Sequence, residues 1–265
     1  MAKYKIGFIG CGNMSGAILK GALDSGVLKA AEVAVYDISP VANEKAASWG
    51  VATKDSSSVL CQESEMVVLG VKPQQAPEML AACKEALEDK AALSIVAGIT
   101  VERLQAMMGD NTRILRVMPN TPAMVKEGAT VLCSDSTFTK QEQALAEAIF
   151  KGIGSVEWVP EKLMDVACGL SGGGPAYVAL FIEALADGAV KQGLPRAQAY
   201  SLAQQTCLGS AKMLMETDIH PGALKDMVTS PGGTTIEGIE ALERGGFRFA
   251  VMDCIKAASE KSKKL

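Results

Sequence analysis

The stretch Lys5–Gly16, KIGFIGCGNMSG, decides the fold of the N-terminal half. The apolar residues up to Ile9 predict a buried strand, and the glycine-rich turn after it leads into a helical pattern. Gly10 suits a tight turn, Gly12 lets the backbone approach a pyrophosphate, and the helix N-terminus offers unpaired N–H groups to that anion. Ser15 stands where the general fingerprint has a third glycine, and serine is small enough to keep strand and helix close. The stretch therefore predicts a dinucleotide-binding turn, with an ordinary glycine turn as the alternative.

Asp37 closes the next predicted strand, 25 residues after Gly12. An acidic residue near this spacing reaches the adenosine ribose hydroxyls, favours NADH and repels a 2′-phosphate. Against this interpretation, Ser39 and Lys45 follow within reach of a phosphate, and Asp37 also suits a role as a cap of the turn. These residues leave the choice between NADH and NADPH open.

Short apolar runs alternate with helical patterns over the first 160 residues. Several runs are apolar on successive residues, which is typical of strands buried on both faces of a parallel sheet. The alternation predicts an α/β fold with a Rossmann-like doubly wound sheet, in a dinucleotide-binding domain of residues 1–160. The predicted strands are Lys5–Ile9, Val33–Asp37, Met66–Val71, Leu93–Ala97, Arg113–Met118, Ala129–Cys133 and Ser155–Val159.

From Glu161 onward the strand-like runs disappear, and helical stretches follow one another to the end of the chain. Pro175 and Gly193 bracket a predicted helix over 176–192, and another is predicted over 196–216. These helices carry more apolar surface than about 100 helical residues bury alone. Residues 161–265 are therefore predicted to form an all-helical dimerisation domain, with a self-contained bundle packed against the first domain as the alternative.

Two proline-containing loops follow predicted strands at the edge where open α/β sheets bind ligands. One is Val71-Lys72-Pro73, and the other is Met118–Pro122. Lys72 and Asn120 supply a cation and an amide near the expected place of a nicotinamide, and Ala97-Gly98 ends a further strand on the same edge. Each loop alone is a routine turn, but their shared edge favours a cofactor site.

A second anion-binding pattern lies in the helical half, at Lys225–Glu237. Hydroxyl side chains, Gly232-Gly233 and a helix start bring N–H groups and a helix dipole together in a way that suits a carboxylate. The spacing of Thr234 and Glu237 also fits a capping box, in which these two residues cap the helix. Both interpretations can hold at once.

Composition excludes several kinds of site. A net charge of −4 and a pI near 5.3 argue against a general nucleic-acid-binding surface. A single histidine, His220 in a predicted turn, and seven scattered cysteines provide no metal ligand set, and the cysteines suit a reducing compartment. No secretory leader pattern is present, and no stretch reaches the ~18 apolar residues of a membrane span. We therefore expect a cytoplasmic protein without metal, membrane or nucleic-acid partners.

Taken together, the motifs resemble those of a known family. GFIGCGNM, VKP, MPNTPA, GLSGGGPAY, LPRAQA, HPGALKDMVTSPGGTTIEGIEALE and GGFR are similar to segments of pyrroline-5-carboxylate reductases. The resemblance covers essentially the whole chain and is most specific from His220 to Glu243. It implies reduction of 1-pyrroline-5-carboxylate to L-proline by NADH or NADPH, the last step of proline biosynthesis. It also implies homodimers formed through the helical domain, often assembled further into decamers.

The resemblance implies a set of cofactor-binding residues. The pyrophosphate would be held by Ile9, Gly10, Cys11, Gly12, Asn13 and Met14. Ser39 would approach the adenosine ribose or its phosphate, and Val71, Lys72 and Ala97 would line the cleft. The predicted cofactor site is completed by the residues derived above from strand ends, namely Asp37, Pro73, Gly98 and Asn120. Asp37 is not a residue that NADPH-using members favour, so the resemblance does not decide between the two cofactors.

The resemblance also implies the residues that hold the substrate. Ser230, Gly233 and Thr234 would bind its carboxylate, and Thr235 would hydrogen-bond the ring nitrogen as the catalytic residue. A protonated cyclic imine is already electrophilic, so hydride transfer needs positioning more than a strong acid or base. A neutral threonine is sufficient for that task.

Two other functions fit parts of the sequence. A β-hydroxyacid or imine dehydrogenase of the same architecture would use a lysine of the helical domain, for which Lys191 and Lys212 are candidates. A non-catalytic NAD(P)-binding regulator would keep the first glycine turn and lose the second-domain loop. The intact Ser230–Thr235 segment argues against a regulator.

Overall fold

The apolar runs of the first half of the chain form the strands of one sheet, as expected for segments buried on both faces. In the computed structural model, which describes residues 2–264, the strands are β1 (Tyr4–Ile9), β2 (Val33–Tyr36), β3 (Ala52–Thr53), β4 (Ser64–Leu69), β5 (Ala91–Ser94), β6 (Arg113–Met118), β7 (Gly128–Cys133) and β8 (Gly154–Val159). Their order across the sheet is β3-β2-β1-β4-β5-β6-β7-β8. Neighbouring strands are parallel except for the antiparallel pair β6 and β7. The Rossmann-like sheet is confirmed.

The sheet differs from the sequence prediction at several strands. Strand β2 ends at Tyr36, so Asp37 lies just beyond it. Strand β3 was not predicted, because its two residues carry no apolar pattern. Strands β4 and β5 end at Leu69 and Ser94, so Val71 and Ala97 lie in loops beyond them. Strand β7 turns back beside β6 because the chain between Met118 and Gly128 is too short for a parallel crossover, which needs about a dozen residues or more.

The helices alternate with strands in the first half and follow one another in the second. They are α1 (Asn13–Asp24), α2 (Pro40–Ala47), α3 (Ser57–Glu63), α4 (Ala76–Cys83), α5 (Val101–Met108), α6 (Lys140–Lys151), α7 (Glu161–Ala167), α8 (Gly174–Lys191), α9 (Arg196–Thr217), α10 (Pro221–Met227), α11 (Thr234–Arg244) and α12 (Phe247–Ser262). A π-helical turn, Cys168–Gly172, lies between α7 and α8.

The chain divides into two compact units. The second unit is Gly174–Lys256, and the first unit is the remainder, including the C-terminal end from Ala257. The first unit has an apolar core on each face of its sheet: Phe8 packs into one cluster and its neighbour Ile9 into the other. This alternation follows from the two-residue period of a strand. The functional boundary after residue 160 stays a prediction.

The second unit buries little apolar surface. Its buried apolar residues are Ala186, Ala199 and Ala203, whereas Leu180 on α8 is 66% exposed. Contrary to the sequence expectation, the helical run Glu161–Lys191, which begins in the first unit and ends with α8 of the second, is long and apolar enough to cross a membrane by length and composition, with 6% of its most apolar window buried. Exposed apolar surface of this extent marks a site of interaction with another protein chain or with a membrane.

Candidate active site

The turn after β1 is built for glycine. Gly10 has a φ of +87°, a left-handed conformation that side chains rarely adopt. A Cβ at Gly10 would also lie 2.5 Å from the carbonyl oxygen of Gly70, the residue that follows β4. The Gly10 N–H donates to the Tyr36 carbonyl at 2.8 Å, which ties the turn to the end of β2. Both the conformation and the close approach explain why glycine stands at position 10.

Ser15 occupies the position of the third fingerprint glycine. Its side chain is buried, and a Cβ added to Gly70 would overlap the Ser15 hydroxyl. The serine therefore fits because the residue facing it across the strand–helix contact is itself a glycine. The close packing of helix α1 on the sheet is kept, with the glycine contributed by the residue after β4 rather than by α1.

The N-terminus of α1 remains open to a ligand. Gly12 is its N-cap, no side chain caps the helix, and a Cβ at Gly12 would meet no atom within 4 Å. Asn13, at the first helical position, is exposed. Uncapped N–H groups with free space before them fit a pyrophosphate, because the helix dipole adds partial positive charge there. The residues present therefore fit a dinucleotide cofactor.

Asp37 lies directly beside this turn. Its Oδ2 accepts the N–H of Cys11 at 2.6 Å, and its Oδ1 accepts the N–H of Ser39 at 2.8 Å. Burial and the Asp37 carboxylate raise the pKa of the Cys11 thiol to about 11, which keeps the thiol neutral. The sequence analysis offered two roles for Asp37, a cap of the turn or a ligand of the ribose. Its hydrogen bonds order the turn, and its position is also the one where a ribose is expected.

Asn43, on the first turns of α2, holds the backbone of Asp37. Its Oδ1 accepts the Asp37 N–H at 2.9 Å, and its Nδ2 donates to the Asp37 carbonyl at 2.7 Å. Sequence reasoning missed this residue. The available signal was an amide six residues after the strand-terminal acid, near the start of a helix, where it can face the preceding turn.

The other predicted cofactor residues lie at the same sheet edge. Val71 and Lys72 follow β4, with Lys72 exposed ahead of a 3-10 turn that begins at Pro73. Ala97 and Gly98 follow β5, and Gly98 has a φ of +74°. The carboxyl ends of these parallel strands meet at one edge, so the first unit brings the predicted set together.

Asn120 follows β6 and is only 8% exposed. Its Oδ1 accepts the N–H of Ala129 at 2.8 Å, and its Nδ2 donates to the carbonyl of Ser171 at 3.0 Å. Both ends of the amide thus have protein partners, one on β7 and one in the π-helical turn. The geometry shows Asn120 fixing the loop, while its contact with a nicotinamide stays a prediction.

The predicted substrate loop belongs to the second unit. Gly232 has a φ of +65°, and Gly233 is the N-cap of α11, with no side chain capping the helix. The Gly233 N–H donates to the Ser230 carbonyl at 3.1 Å, which closes the loop as a tight turn. The N-terminus of α11 is therefore left uncapped, as an anion site requires.

The capping-box interpretation of this loop is wrong. Because Gly233 is the N-cap, Thr234 is already the first helical residue, and Glu237 lies one position too late to reach back to the cap. The Thr234 side chain is exposed and that of Thr235 is partly buried. Neither hydroxyl is needed to cap the helix, so both remain available for a ligand.

Comparisons with known proteins identify the family to which this chain belongs. Residues 161–265 match the family model described as pyrroline-5-carboxylate reductase dimerisation, and residues 5–98 match the model described as NADP oxidoreductase, coenzyme F420-dependent. The pyrroline-5-carboxylate reductase of Escherichia coli is 44% identical, covering 98% of each chain, and that of Methanosarcina acetivorans is 42% identical, covering 100% of this chain and 99% of its own. The chain belongs to the pyrroline-5-carboxylate reductase family.

A solved structure supports the same assignment. The pyrroline carboxylate reductase of Plasmodium falciparum, with NADP bound, superposes with a TM-score of 0.88 at 35% identity, covering 100% of this chain and 98% of that one. The matches agree with a nicotinamide dinucleotide as the cofactor class. As a reductase of this family, the chain has its fold and its dimerisation segment in the predicted order.

Two further residues of the reductase have defined positions. His220 is the N-cap of α10, where its Nδ1 accepts the N–H of Gly222 at 3.1 Å, so its predicted place in a turn is confirmed. Gly70 was missed by sequence reasoning, although a glycine directly after the apolar run of β4 was the available signal. Among residues 2–264, no three His, Cys, Asp or Glu side chains form a group that suits a metal ion.

Proposed function

We propose that this protein reduces 1-pyrroline-5-carboxylate to L-proline in the cytoplasm, with a reduced nicotinamide dinucleotide as the hydride donor. The observation that carries the proposal is the loop Ser230–Thr235 at the uncapped N-terminus of α11. It lies within the segment matched by the reductase dimerisation model. An anion site next to an unused hydroxyl suits a small cyclic imine that carries a carboxylate.

The cofactor is bound at the carboxyl edge of the sheet. Uncapped N–H groups at the start of α1 bind the pyrophosphate, and the absence of a side chain at Gly12 leaves room for it. The loops of Val71–Pro73 and Ala97-Gly98 line the cleft. When bound, the reduced nicotinamide supplies the hydride.

The substrate is oriented by the second-unit loop. The Ser230 hydroxyl and the Thr234 N–H bind the carboxylate, and Gly233, whose own N–H is bonded to the Ser230 carbonyl, forms the turn that presents them. The Thr235 Oγ1 accepts a hydrogen bond from the protonated ring nitrogen. The imine carbon gains a hydride and the nitrogen keeps its proton, so the product is a secondary amine. Thr235 transfers no proton itself, and its role is to orient the C=N bond.

The exposed apolar face of the second unit is covered by a second copy of the chain. Leu180, Met215 and Phe249 are among its large exposed side chains. Since this face lies in the segment matched by the dimerisation model, we assign the apolarity of Glu161–Lys191 to a subunit interface rather than to a bilayer. The homodimer is the smallest assembly that this surface requires, and a decamer built from such dimers is the larger form.

A lysine-dependent dehydrogenase remains a distinguishable alternative. Lys212 is exposed on α9 and lies 3.6 Å from Glu216, and Lys191 lies at the solvent-exposed end of α8. A catalytic lysine is normally desolvated so that its pKa falls towards neutrality. Neither side chain has that environment in the second unit taken by itself.

The test follows the oxidation of NADH and of NADPH with 1-pyrroline-5-carboxylate. We expect imine-dependent loss of absorbance with at least one cofactor and formation of L-proline in equal amount. A β-hydroxyacid with the oxidised cofactors is the control substrate and should give no turnover. Absence of imine reduction with both cofactors would overturn the proposed function.

A further inference from the structure

The carboxylate of Asp37 is held in place through both of its oxygens. Its two oxygens accept the N–H groups of Cys11 and Ser39, at 2.6 Å and 2.8 Å. The Asn43 amide holds the Asp37 backbone through a second pair of bonds, at 2.9 Å and 2.7 Å. A rotation of the Asp37 side chain away from the turn would break two bonds to a charged acceptor, which are stronger than neutral ones.

A fixed carboxylate at this place can still serve a ribose. Each carboxylate oxygen has about two acceptor positions, and the known bonds of Asp37 use one on each oxygen. The remaining positions can accept the 2′- and 3′-hydroxyls of an adenosine ribose, which are donors. A phosphate at the 2′ position offers only acceptors and negative charge, so it cannot replace those bonds.

Two of the groups that would favour a 2′-phosphate already have protein partners. The backbone N–H of Ser39 is a natural phosphate donor in this turn, but it is bonded to Asp37 at 2.8 Å. The Lys45 ammonium lies over the Trp49 ring, 5.5 Å from its centroid. The turn therefore presents a fixed negative charge, and the Lys45 ammonium, eight residues further along the chain, is held by an aromatic face.

From this geometry we propose that Asp37 is the specificity-determining residue for NADH over NADPH, and that Asn43 is the positioning residue that keeps its carboxylate in the turn. The inference deepens the proposed function, and it rests on that function only in the kinetic test, which uses imine reduction as the assay. The preference is a property of this chain, since a family member has been solved with NADP bound.

The test compares kcat/KM for the two cofactors in the wild type and in Asp37→Ser, Asn43→Ala and Glu44→Gln. We expect the wild type to favour NADH by roughly 10- to 1,000-fold, the range for one like-charge contact between weak and strong screening. Asp37→Ser should lower that ratio by at least about 10-fold, through the KM for NADPH and with little change in kcat. Asn43→Ala should shift the ratio in the same direction by a smaller factor.

Glu44→Gln is the matched control. It removes one carboxylate from an exposed position on α2, next to Asn43 in the chain, and should leave the ratio unchanged. A wild type that uses NADPH as well as NADH overturns the proposal, and so does an unchanged ratio in Asp37→Ser. If Asn43→Ala weakens both cofactors equally, Asn43 is only structural.

Direct binding separates this inference from the proposed reaction. Dissociation constants of NADH and NADPH, measured by fluorescence titration without an imine, should show the same preference in the wild type. If no imine is reduced but NADH binds more tightly, the proposed function fails and the inference stands. If NADPH binds as tightly as NADH, the inference fails. The wild-type measurement decides the main point even where a variant does not fold.

Discussion

The two units of this reductase bury their large apolar side chains to very different extents. In the first unit, a sheet covered by helices on both faces buries large side chains such as Phe8, Leu19 and Phe150 almost completely. In the second unit the described buried apolar residues are three alanines, while Leu180 and Phe249 lie largely in solvent. The difference shows that the first unit carries its own core, whereas the second unit needs another chain to complete one.

Leu180→Glu tests the statement that the second unit completes its core with another chain, and it has the largest expected effect. A carboxylate buried in an apolar interface without a partner costs several kcal/mol, and a twofold interface contains it twice. We expect the dimer dissociation constant to rise by at least about 1,000-fold, with loss of activity. Sedimentation velocity across protein concentrations measures the change.

The control for this variant is Val59→Glu. Val59 is an exposed valine on α3 of the first unit, so a carboxylate there should stay in solvent and leave the assembly intact. A wild type that sediments as a monomer at micromolar concentration would contradict the comparison itself.

Phe150→Ala tests the statement that the first unit has an apolar core of its own. Phe150 is fully buried in the cluster on the α6 side of the sheet, and truncating such a side chain costs about 3–5 kcal/mol of the free energy of unfolding. Chemical denaturation of the variant measures this loss. Phe249→Ala, in the second unit, is the paired truncation, and its effect on the unfolding midpoint should depend on protein concentration because it acts through the dimer. Equal, concentration-independent effects would remove the distinction between the units.

Thr235→Ala separates function from packing in the second unit. Thr235 lies at the start of α11 and is only partly buried, so its loss should leave the melting temperature nearly unchanged. We expect kcat/KM to fall by roughly 10- to 1,000-fold, the range for losing one hydrogen bond that is stronger in the transition state. Thr235→Ser keeps the hydroxyl and should recover most of the lost kcat/KM. His220→Gln should retain activity, because His220 only caps α10. Unchanged kinetics in Thr235→Ala would rule out its proposed role.

Glu142→Gln has the smallest expected effect and probes the surface of the first unit. Burial raises the pKa of Glu142, but the Arg113 guanidinium and the Thr139 N–H outweigh it, so the net pKa is lowered. The stability from this group is therefore present above its unfolded pKa of about 4.3 and is lost as the pH falls through the folded pKa.

The measurement is the free energy of unfolding across the acidic range. Between about pH 5 and pH 3 the wild type should lose roughly 1 kcal/mol more than Glu142→Gln. Glu157→Gln, at an exposed position on β8, should follow the wild-type curve. Identical pH profiles for wild type and Glu142→Gln would show that the pair with Arg113 contributes nothing.

The sequence was sufficient for features that depend on local pattern. Continuous apolar runs predicted β1, β2 and β4, and the glycine turn at Gly10 and Gly12 marked the start of α1. The edge at which the predicted cofactor residues meet followed from parallel strands alone. The exposed apolar face of α8 was also visible as an excess of apolar residues.

Features that depend on tertiary contacts were not predictable in the same way. Whether Asp37 faces a ligand or the turn depends on Cys11 and Asn43, which approach it only in the fold. One bond of Asn120 reaches Ser171, 51 residues further along the chain, so no local pattern indicates it. The cap of α11 shifted by one residue to Gly233 because local spacing does not specify where helical dihedrals begin.

The contact between Ser15 and Gly70 has a consequence for the evolution of the reductase. A methyl group at position 70 would occupy the space of the Ser15 hydroxyl, so Gly70→Ala in the present background would force that buried hydroxyl to move and should be destabilising. If Ser15 is first replaced by glycine, the nearest atom left to the added methyl group is the Gly10 carbonyl oxygen at 3.2 Å, so the same change should be tolerated better. The two positions therefore form an epistatic pair, in which the cost of a side chain at position 70 depends on whether position 15 has already lost its own.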